Sequence, residues 1–120
     1  MIVDRELPDM FTVKNLVEEL KLEIVAGERG MISLITDVYI GDLLSWVMAK
    51  VDDGNIWITI QTHANIIAVA VLKDVSCVII SENAMIDNDT ITRANVEEIP
   101  LLRSSLNSYQ LALRIGEMLK

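Results

Sequence analysis

The segment from Asn55 to Ile80 constrains the fold more than any other part of the chain. Two apolar runs rich in β-branched residues, Ile56–Ile60 and Val75–Ile80, lie on either side of an apolar segment of helical composition. Their separation is too long for a hairpin, because a connection of about a dozen residues or more usually joins parallel strands. Strands buried on both faces appear as continuous apolar runs. The segment therefore predicts a strand, a helix and a second strand at the centre of a largely parallel sheet.

The remainder of the chain alternates between predicted helices and predicted strands. Helices are predicted over Val13–Leu20, Leu43–Lys50, Thr90–Glu97 and Leu106–Leu119, and strands over Lys21–Val25, Val38–Ile40 and Ile99–Leu102. Lys21–Val25 alternates as an edge strand would, Thr12 should cap the first of these helices, and Asp87, Asn88 or Asp89 should cap the third. This alternation is typical of an α/β protein, so we expect a single three-layer domain with a mostly parallel central sheet and flanking helices. We place that domain at residues 12–120, after an N-terminal extension over residues 1–11 that has no periodicity.

The charge of the chain argues against two classes of partner. Ten basic and eighteen acidic residues give a formal net charge of −8. Nucleic-acid-binding proteins present basic patches, and anionic membranes attract basic segments, so we expect neither partner. The sequence shows no uninterrupted apolar stretch long enough to span a bilayer and no signal-peptide pattern. With one cysteine, Cys77, expected in the core of a strand, the chain suits a reducing cytoplasm.

Polar side chains follow four of the predicted strands. They occur in Gly41-Asp42, in Gln61-Thr62-His63 with Asn65, in Ser81-Glu82-Asn83, and in Arg103-Ser104-Ser105. Ligands of open α/β sheets bind outside the carboxyl ends of the strands, at a switch point in strand order. The following helices also direct their N-termini, which favour anions, toward this edge. The ligand-binding candidates are Asp42, Gln61, Thr62, His63, Asn65, Ser81 and Ser104.

A structural role is the alternative for several of these residues. Asp42, Thr62 and Ser104 or Ser105 are residue types that cap helix N-termini. His63 is the only histidine, and its residue type titrates near neutral pH. An enzyme would use His63 as a base, oriented by Asp42 or Glu82. No serine or cysteine partner is indicated by its spacing, so we assign no catalytic residue.

Several cofactor and metal sites are excluded by the residues present. The chain contains neither the phosphate-binding loop G-x-x-x-x-G-K-[ST] nor the dinucleotide motif G-x-G-x-x-G. One histidine and one cysteine cannot form the usual zinc site. The acidic pairs Asp52-Asp53 and Asp87-x-Asp89 lack the further oxygen ligands of a calcium loop. We therefore predict no cofactor and no metal.

The aromatic residues leave the subunit arrangement open. Trp57 and Trp46 are both candidates for the core, but Trp46, Tyr39 and Met48 also suit a subunit contact, where aromatic residues and methionine are favoured. Two-fold assemblies are the commonest, and the chain is small and apolar, so we expect a homodimer.

Four stretches of the chain resemble a known family. They are Tyr39–Ala49, Trp57–Leu72, Thr12–Leu20 and Ile99–Leu102. Together they resemble the DRTGG domain family, and more closely its stand-alone members similar to the N-terminal domain of HPr kinase. The resemblance extends over about Thr12 to Lys120, and the run through Gln61-Thr62-His63 is its more specific part.

The resemblance implies a non-catalytic regulatory module of α/β fold that tends to dimerise. Such modules occur alone, fused to nucleotide-binding CBS pairs or to phosphotransacetylase, or near a kinase domain. Where many members have Gly-Asp-Arg, this chain has Gln61-Thr62-His63, and where many have Thr-Gly-Gly, it has Ser81-Glu82-Asn83. The expected function is a regulatory or sensory module with a small nucleotide or phosphorylated ligand. A protein-binding subunit without a ligand is the alternative, and a small enzyme using His63 is a third.

Overall fold

Five strands in the part of the chain that the structure describes form one central mixed sheet. The structure, a computed structural model, describes residues 11–119. The strands are β1 (Glu23–Ala26), β2 (Asp37–Ile40), β3 (Asn55–Thr59), β4 (Cys77–Ile80) and β5 (Leu101–Arg103). Their order across the sheet is β1-β5-β4-β3-β2. Strands β2 to β5 are parallel, and β1 pairs antiparallel with β5, so the predicted mostly parallel sheet is confirmed.

Five α-helices within residues 11–119 cover the two faces of this sheet. They are α1 (Val13–Leu20), α2 (Leu44–Lys50), α3 (Asn65–Lys73), α4 (Asn88–Glu97) and α5 (Ser108–Leu119). Core residues of α2, α3 and α4 pack together on one face, and those of α1 and α5 pack on the other. The three-layer α/β architecture is therefore as predicted. No helix among residues 11–119 is long and apolar enough to cross a membrane.

The central unit β3-α3-β4 explains why both apolar runs are continuous. Every residue of β3 and β4 is buried. Along β3, Ile56 and Ile58 pack toward α1 and α5, whereas Trp57 packs toward α2 to α4. A strand buried on both faces favours apolar side chains on both, which is the pattern of Ile56 to Ile58 and of all of β4.

The helix beginnings differ from several predictions. Thr12 caps α1 as expected, in a reciprocal pair of hydrogen bonds with Asn15. Asp42 does not cap α2, because that helix begins at Leu44 and the residue before it makes no side-chain cap. Helix α4 begins two residues earlier than predicted, at Asn88, and the side chain of Asp87 does not cap it.

The last helix also begins at a different residue from the one predicted. It starts at Ser108 rather than Leu106. Asn107 and Gln110 cap it reciprocally, with side-chain oxygens that accept from each other's backbone N–H at 2.9 and 3.0 Å. The hydroxyl of Ser104 instead accepts from the backbone N–H of Leu106, which forms a local turn before the helix.

The strand order contains no switch point of the kind predicted. The parallel strands β2, β3, β4 and β5 follow one another across the sheet without a reversal. A switch point requires neighbouring strands whose connections leave in opposite directions. The strand order therefore does not locate a ligand site, and the positions of side chains and cavities are the remaining guides.

Three further predictions concern the edge strand, the cysteine and the N-terminal extension. Strand β1 begins at Glu23 and occupies an edge of the sheet, as predicted for Lys21–Val25. Cys77 is fully buried, and burial raises the pKa of its thiol, which agrees with a core role. Of the predicted N-terminal extension, residues 1–10 lie outside the described residues, and the domain boundary stays a prediction.

Candidate functional site

The polar residues after β2 and β3 form one hydrogen-bonded network. Asp42 Oδ1 accepts from the Thr59 hydroxyl at 2.8 Å and from the Ile60 backbone N–H at 2.9 Å. The Gln61 side-chain amide donates to the Asp42 carbonyl at 3.0 Å. Thr59 is fully buried, so its hydroxyl needs this partner. Asp42 and Gln61 thus fix the end of β3 to the end of β2.

His63 lies in a second network, which joins the loop after β3 to the start of α4. Its Nδ1 is 2.9 Å from Asp87 Oδ2. The carbonyl of Thr62 accepts from the Thr90 hydroxyl at 2.6 Å and from the Asp87 N–H at 3.4 Å. The enzyme hypothesis required Asp42 or Glu82 to orient His63, and this expectation is wrong because Asp87 is the carboxylate that pairs with it.

The environment of His63 is open to water. The side chains of His63 and Asp87 are 69% and 49% exposed. Asn65 is also exposed, at the first position of α3. An acid–base catalyst benefits from a site that excludes water around the reacting group. The corner formed by Gln61, Thr62 and His63 is a solvent-facing surface.

The loop Ser81-Glu82-Asn83 after β4 is held by its own backbone. Glu82 and Asn83 adopt left-handed conformations with φ of 59° and 52°. Their N–H groups donate to the carbonyls of Leu106 and Ser104 at 2.9 and 2.8 Å. Ser81 is buried, with 1% of its surface exposed. These two N–H groups already have partners, so this loop does not offer them to an anion.

A cavity of about 320 Å³ opens at the carboxyl end of β5, beside the start of β1. Three cationic side chains and one carboxylate contribute to its lining, namely Lys21, Arg103, Arg114 and Glu23. Asn83, Ser104 and Ser105 add an amide and two hydroxyls. Its volume is at the lower end of the range for small-molecule pockets.

Arg103 is the most firmly positioned of these cations. Its Nε and Nη2 donate to the two carboxylate oxygens of Glu23 at 2.9 and 3.0 Å. Its Nη1 donates to the carbonyl of Ala84 at 3.3 Å. The hydrogen bonds from Arg103 hold the pKa of Glu23 below its ordinary value and raise the pKa of Arg103. The pair remains ionised at neutral pH and keeps the guanidinium in place.

The structure separates the seven predicted site residues. Asp42 and Gln61 share the first network, and Thr62 and His63 share the second. Of the seven, all within the described range, only Ser104 lines the cavity. Residues 11–119 contain no group of three or more potential metal ligands that could hold an ion.

Sequence reasoning missed the cations of the cavity. Lys21 precedes β1. No local pattern indicates that β1 pairs antiparallel with β5, which brings the start of β1 to the carboxyl edge. Arg114 lies in the middle of α5, where nothing in the local sequence separates it from an ordinary surface arginine. Arg103 was the one available signal, since it ends a strand directly before two serines.

Comparisons with known proteins identify a family and a fold. The model of the DRTGG domain family matches residues 15–118. The chain is similar in structure to the regulatory region of Clostridium perfringens pyrophosphatase, which contains CBS and DRTGG domains and was crystallised with its activator, diadenosine tetraphosphate. The TM-score is 0.72 at 17% sequence identity, over 93% of this chain and 48% of that one. This chain therefore spans about half of the regulatory region. No curated protein sequence matches it.

Proposed function

Since the chain belongs to the DRTGG domain family, we propose that it is a regulatory module that binds a small ligand at the carboxyl edge of its sheet and catalyses no reaction. The observation that carries this proposal is the cavity beside β5, where three cations from separate elements converge. The similar regulatory region of a pyrophosphatase is activated by a nucleotide, which supports a ligand-responsive role for this fold. Convergent polar groups in a cavity are typical of a binding site.

The arrangement around His63 supports a role without catalysis. Its ring pairs with Asp87, and no serine, threonine or cysteine side chain in the described part of the chain hydrogen-bonds to it. Cys77 is buried in β4 and has a raised thiol pKa, so it is a poor nucleophile. A small enzyme that uses His63 as base stays the third hypothesis, without support from this geometry.

A thermal-shift screen against adenine nucleotides, dinucleoside polyphosphates and small phosphorylated metabolites tests the proposal. A ligand at about a hundred times its Kd stabilises the folded state by about 2.7 kcal/mol. For a domain of this size the melting temperature should therefore rise by about 8–16 °C, because each kcal/mol shifts it by about 3–6 °C. Turnover of a ligand that stops in His63→Ala, with the fold intact, would contradict the non-catalytic role.

A protein-binding role is the second candidate, favoured by apolar residues exposed near the edge strand β2. Ile40, Leu43, Trp46 and Ile60 are 43%, 61%, 58% and 43% exposed. Tyr39 and Met48, also predicted at a subunit contact, are half-buried. A second copy of the chain is the partner that we expect for this surface, as a two-fold dimer.

Light scattering over a range of protein concentrations tests this second candidate. A dimer through this surface should weaken in Trp46→Ser, because Trp46 is exposed and its loss does not disturb the core. Leu72→Ser, which removes another exposed apolar side chain from α3, is the matched control. A monomer at all concentrations would contradict the dimer and leave the surface for another protein.

A further inference from the structure

The cavity beside β5 differs in charge from two cavities of similar size elsewhere on the protein. A cavity of about 290 Å³ between α1 and β1 is lined by one lysine and two glutamates, so its formal charge is −1. A cavity of about 330 Å³ at the amino end of the sheet is lined by two aspartates and no cation, which gives −2. The cavity beside β5 has three cations and one glutamate, which gives +2.

This local positive charge is unusual in a chain whose formal net charge is −8. Lys21 and Arg114 form no ion pair among the described residues, so their charges are not compensated by a bound carboxylate. A concave surface lined by one sign of charge concentrates ions of the opposite sign. The cavity is therefore suited to an anion even though the protein as a whole repels anions.

The lining also indicates which part of a ligand is recognised. Arginine side chains and serine hydroxyls are suitable donors to phosphate oxygens, and arginine binds phosphate in a bidentate geometry. No aromatic residue lines the cavity, and its apolar lining consists of Leu20 and Leu106. A nucleobase would lack an aromatic stacking surface there, and the volume of about 320 Å³ suits a compact group.

We propose that this cavity binds the phosphate groups of a phosphorylated ligand, with Lys21, Arg103 and Arg114 as its cationic contacts and without recognition of a base. This inference rests on the proposed regulatory function and specifies the ligand class and the location. The three cations come from the end of α1, from β5 and from the middle of α5. A bound diphosphate or triphosphate group would thereby connect the two helices on one face of the sheet, which is a direct route from ligand binding to the stability of that layer.

Glu23 has an opposing role in the same cavity. It positions Arg103 by two hydrogen bonds, but its carboxylate also repels an incoming anion. Because Glu23 is 53% exposed, its replacement by glutamine should not endanger the fold. Removal of a cation and removal of this carboxylate should therefore change phosphate affinity in opposite directions.

Isothermal titration calorimetry at low ionic strength, with inorganic pyrophosphate, tripolyphosphate, ATP and adenosine as probes, tests the proposal. Tripolyphosphate and ATP should bind with affinities within about threefold of each other, and adenosine should not bind. Arg114→Gln should weaken tripolyphosphate binding about tenfold, as expected for loss of one charge-assisted contact. Glu23→Gln should strengthen it, and added salt should weaken it.

Arg93→Gln is the matched control, because it makes the same change on α4, whose core residues pack on the other face of the sheet. Arg93→Gln should bind tripolyphosphate with the affinity of the natural chain.

No heat with either polyphosphate, or equal affinity of the natural chain and Arg114→Gln, would overturn the cavity as a phosphate site. A ligand from the thermal-shift screen that still binds Arg114→Gln but is lost in His63→Ala would overturn the cavity and preserve the regulatory function. If no ligand binds in either experiment, both the phosphate site and the ligand-binding regulatory function would be overturned.

Discussion

The two halves of the carboxyl edge use their polar residues in different ways. Around the Gln61-Thr62-His63 corner, Asp42, Gln61 and Thr62 are engaged in hydrogen bonds that fasten one strand end or loop to the next. Around the cavity beside β5, Lys21 and Arg114 have no ion-pair partner among the described residues. Polar residues near the carboxyl edge therefore have two roles. Those whose donors and acceptors are used internally maintain the fold, and uncompensated charges in a concave surface remain for a ligand.

The largest expected effect is at Asp42, and it tests whether the hydrogen bonds that join the ends of β2 and β3 stabilise the fold. Asp42→Ala removes the acceptor of the buried Thr59 hydroxyl and of the Ile60 N–H. Loss of hydrogen bonds to a charged group should lower the free energy of unfolding by about 2–3 kcal/mol. Urea denaturation measures this change. Asp87→Ala, which removes the exposed partner of His63, should cost less than about 1 kcal/mol. If both variants lose the same free energy of unfolding, a carboxylate with a buried partner is no more important for stability than one with an exposed partner.

A smaller effect is expected at the link between the loop after β3 and α4. Thr90 is fully buried, and its hydroxyl donates to the Thr62 carbonyl. Thr90→Val keeps the shape and removes the donor, so the free energy of unfolding should fall by about 1–2 kcal/mol. Thr92→Val, at an exposed position of the same helix, should be nearly neutral. If both variants unfold at the same urea concentration, the link does not stabilise the corner.

A substitution in the loop after β4, which lies between the two halves of the carboxyl edge, should increase stability. Glu82 has a φ of 59°, which is costly for a residue with a Cβ atom and free of strain for glycine. Glu82→Gly should raise the free energy of unfolding by about 0.5–1 kcal/mol, after the larger entropy of the unfolded glycine is subtracted. Thermal unfolding measures the gain. Glu19→Gly, in the helical backbone of α1, is the control and should destabilise instead.

The smallest effect concerns the Glu23–Arg103 pair of the cavity. The folded-state pKa of Glu23 lies below its ordinary value, so the pair's contribution is complete at neutral pH and is lost as the pH falls through that lowered pKa. For an exposed pair the contribution should be about 0.5 kcal/mol. Urea denaturation at pH 7 and pH 3, compared between the natural chain and Glu23→Gln, measures it. An equal loss in both proteins would show that other carboxylates account for the whole pH dependence.

Local patterns in the sequence account for much of the fold and little of the site. The continuous apolar runs of β3 and β4 predicted the central unit, and Thr12 correctly predicted the start of α1. Asp42 illustrates the failure. An aspartate directly before a helix is expected to cap that helix. The Asp42 side chain instead accepts a hydrogen bond from Thr59 of β3, and the whole of α2 separates these two residues along the chain. Whether this carboxylate caps the helix or binds the neighbouring strand depends on where that strand lies in the folded sheet. The local sequence around Asp42 does not specify that position.

The sequence by itself determined that this protein is a three-layer α/β domain, because alternating predicted helices and continuous apolar strands allow few other ways to bury their surfaces. The resemblance of particular stretches, and not this pattern, indicated the DRTGG family. Only the tertiary structure decided where its positive charge collects. Lys21, at the end of α1, is 82 residues before Arg103 in β5, and Arg114 lies on a further element, α5. They meet because β1 pairs antiparallel with β5 and α5 packs on the same face of the sheet as α1. Strand order and face assignment are properties of the whole folded core, so a site built from them is absent from any single stretch of sequence.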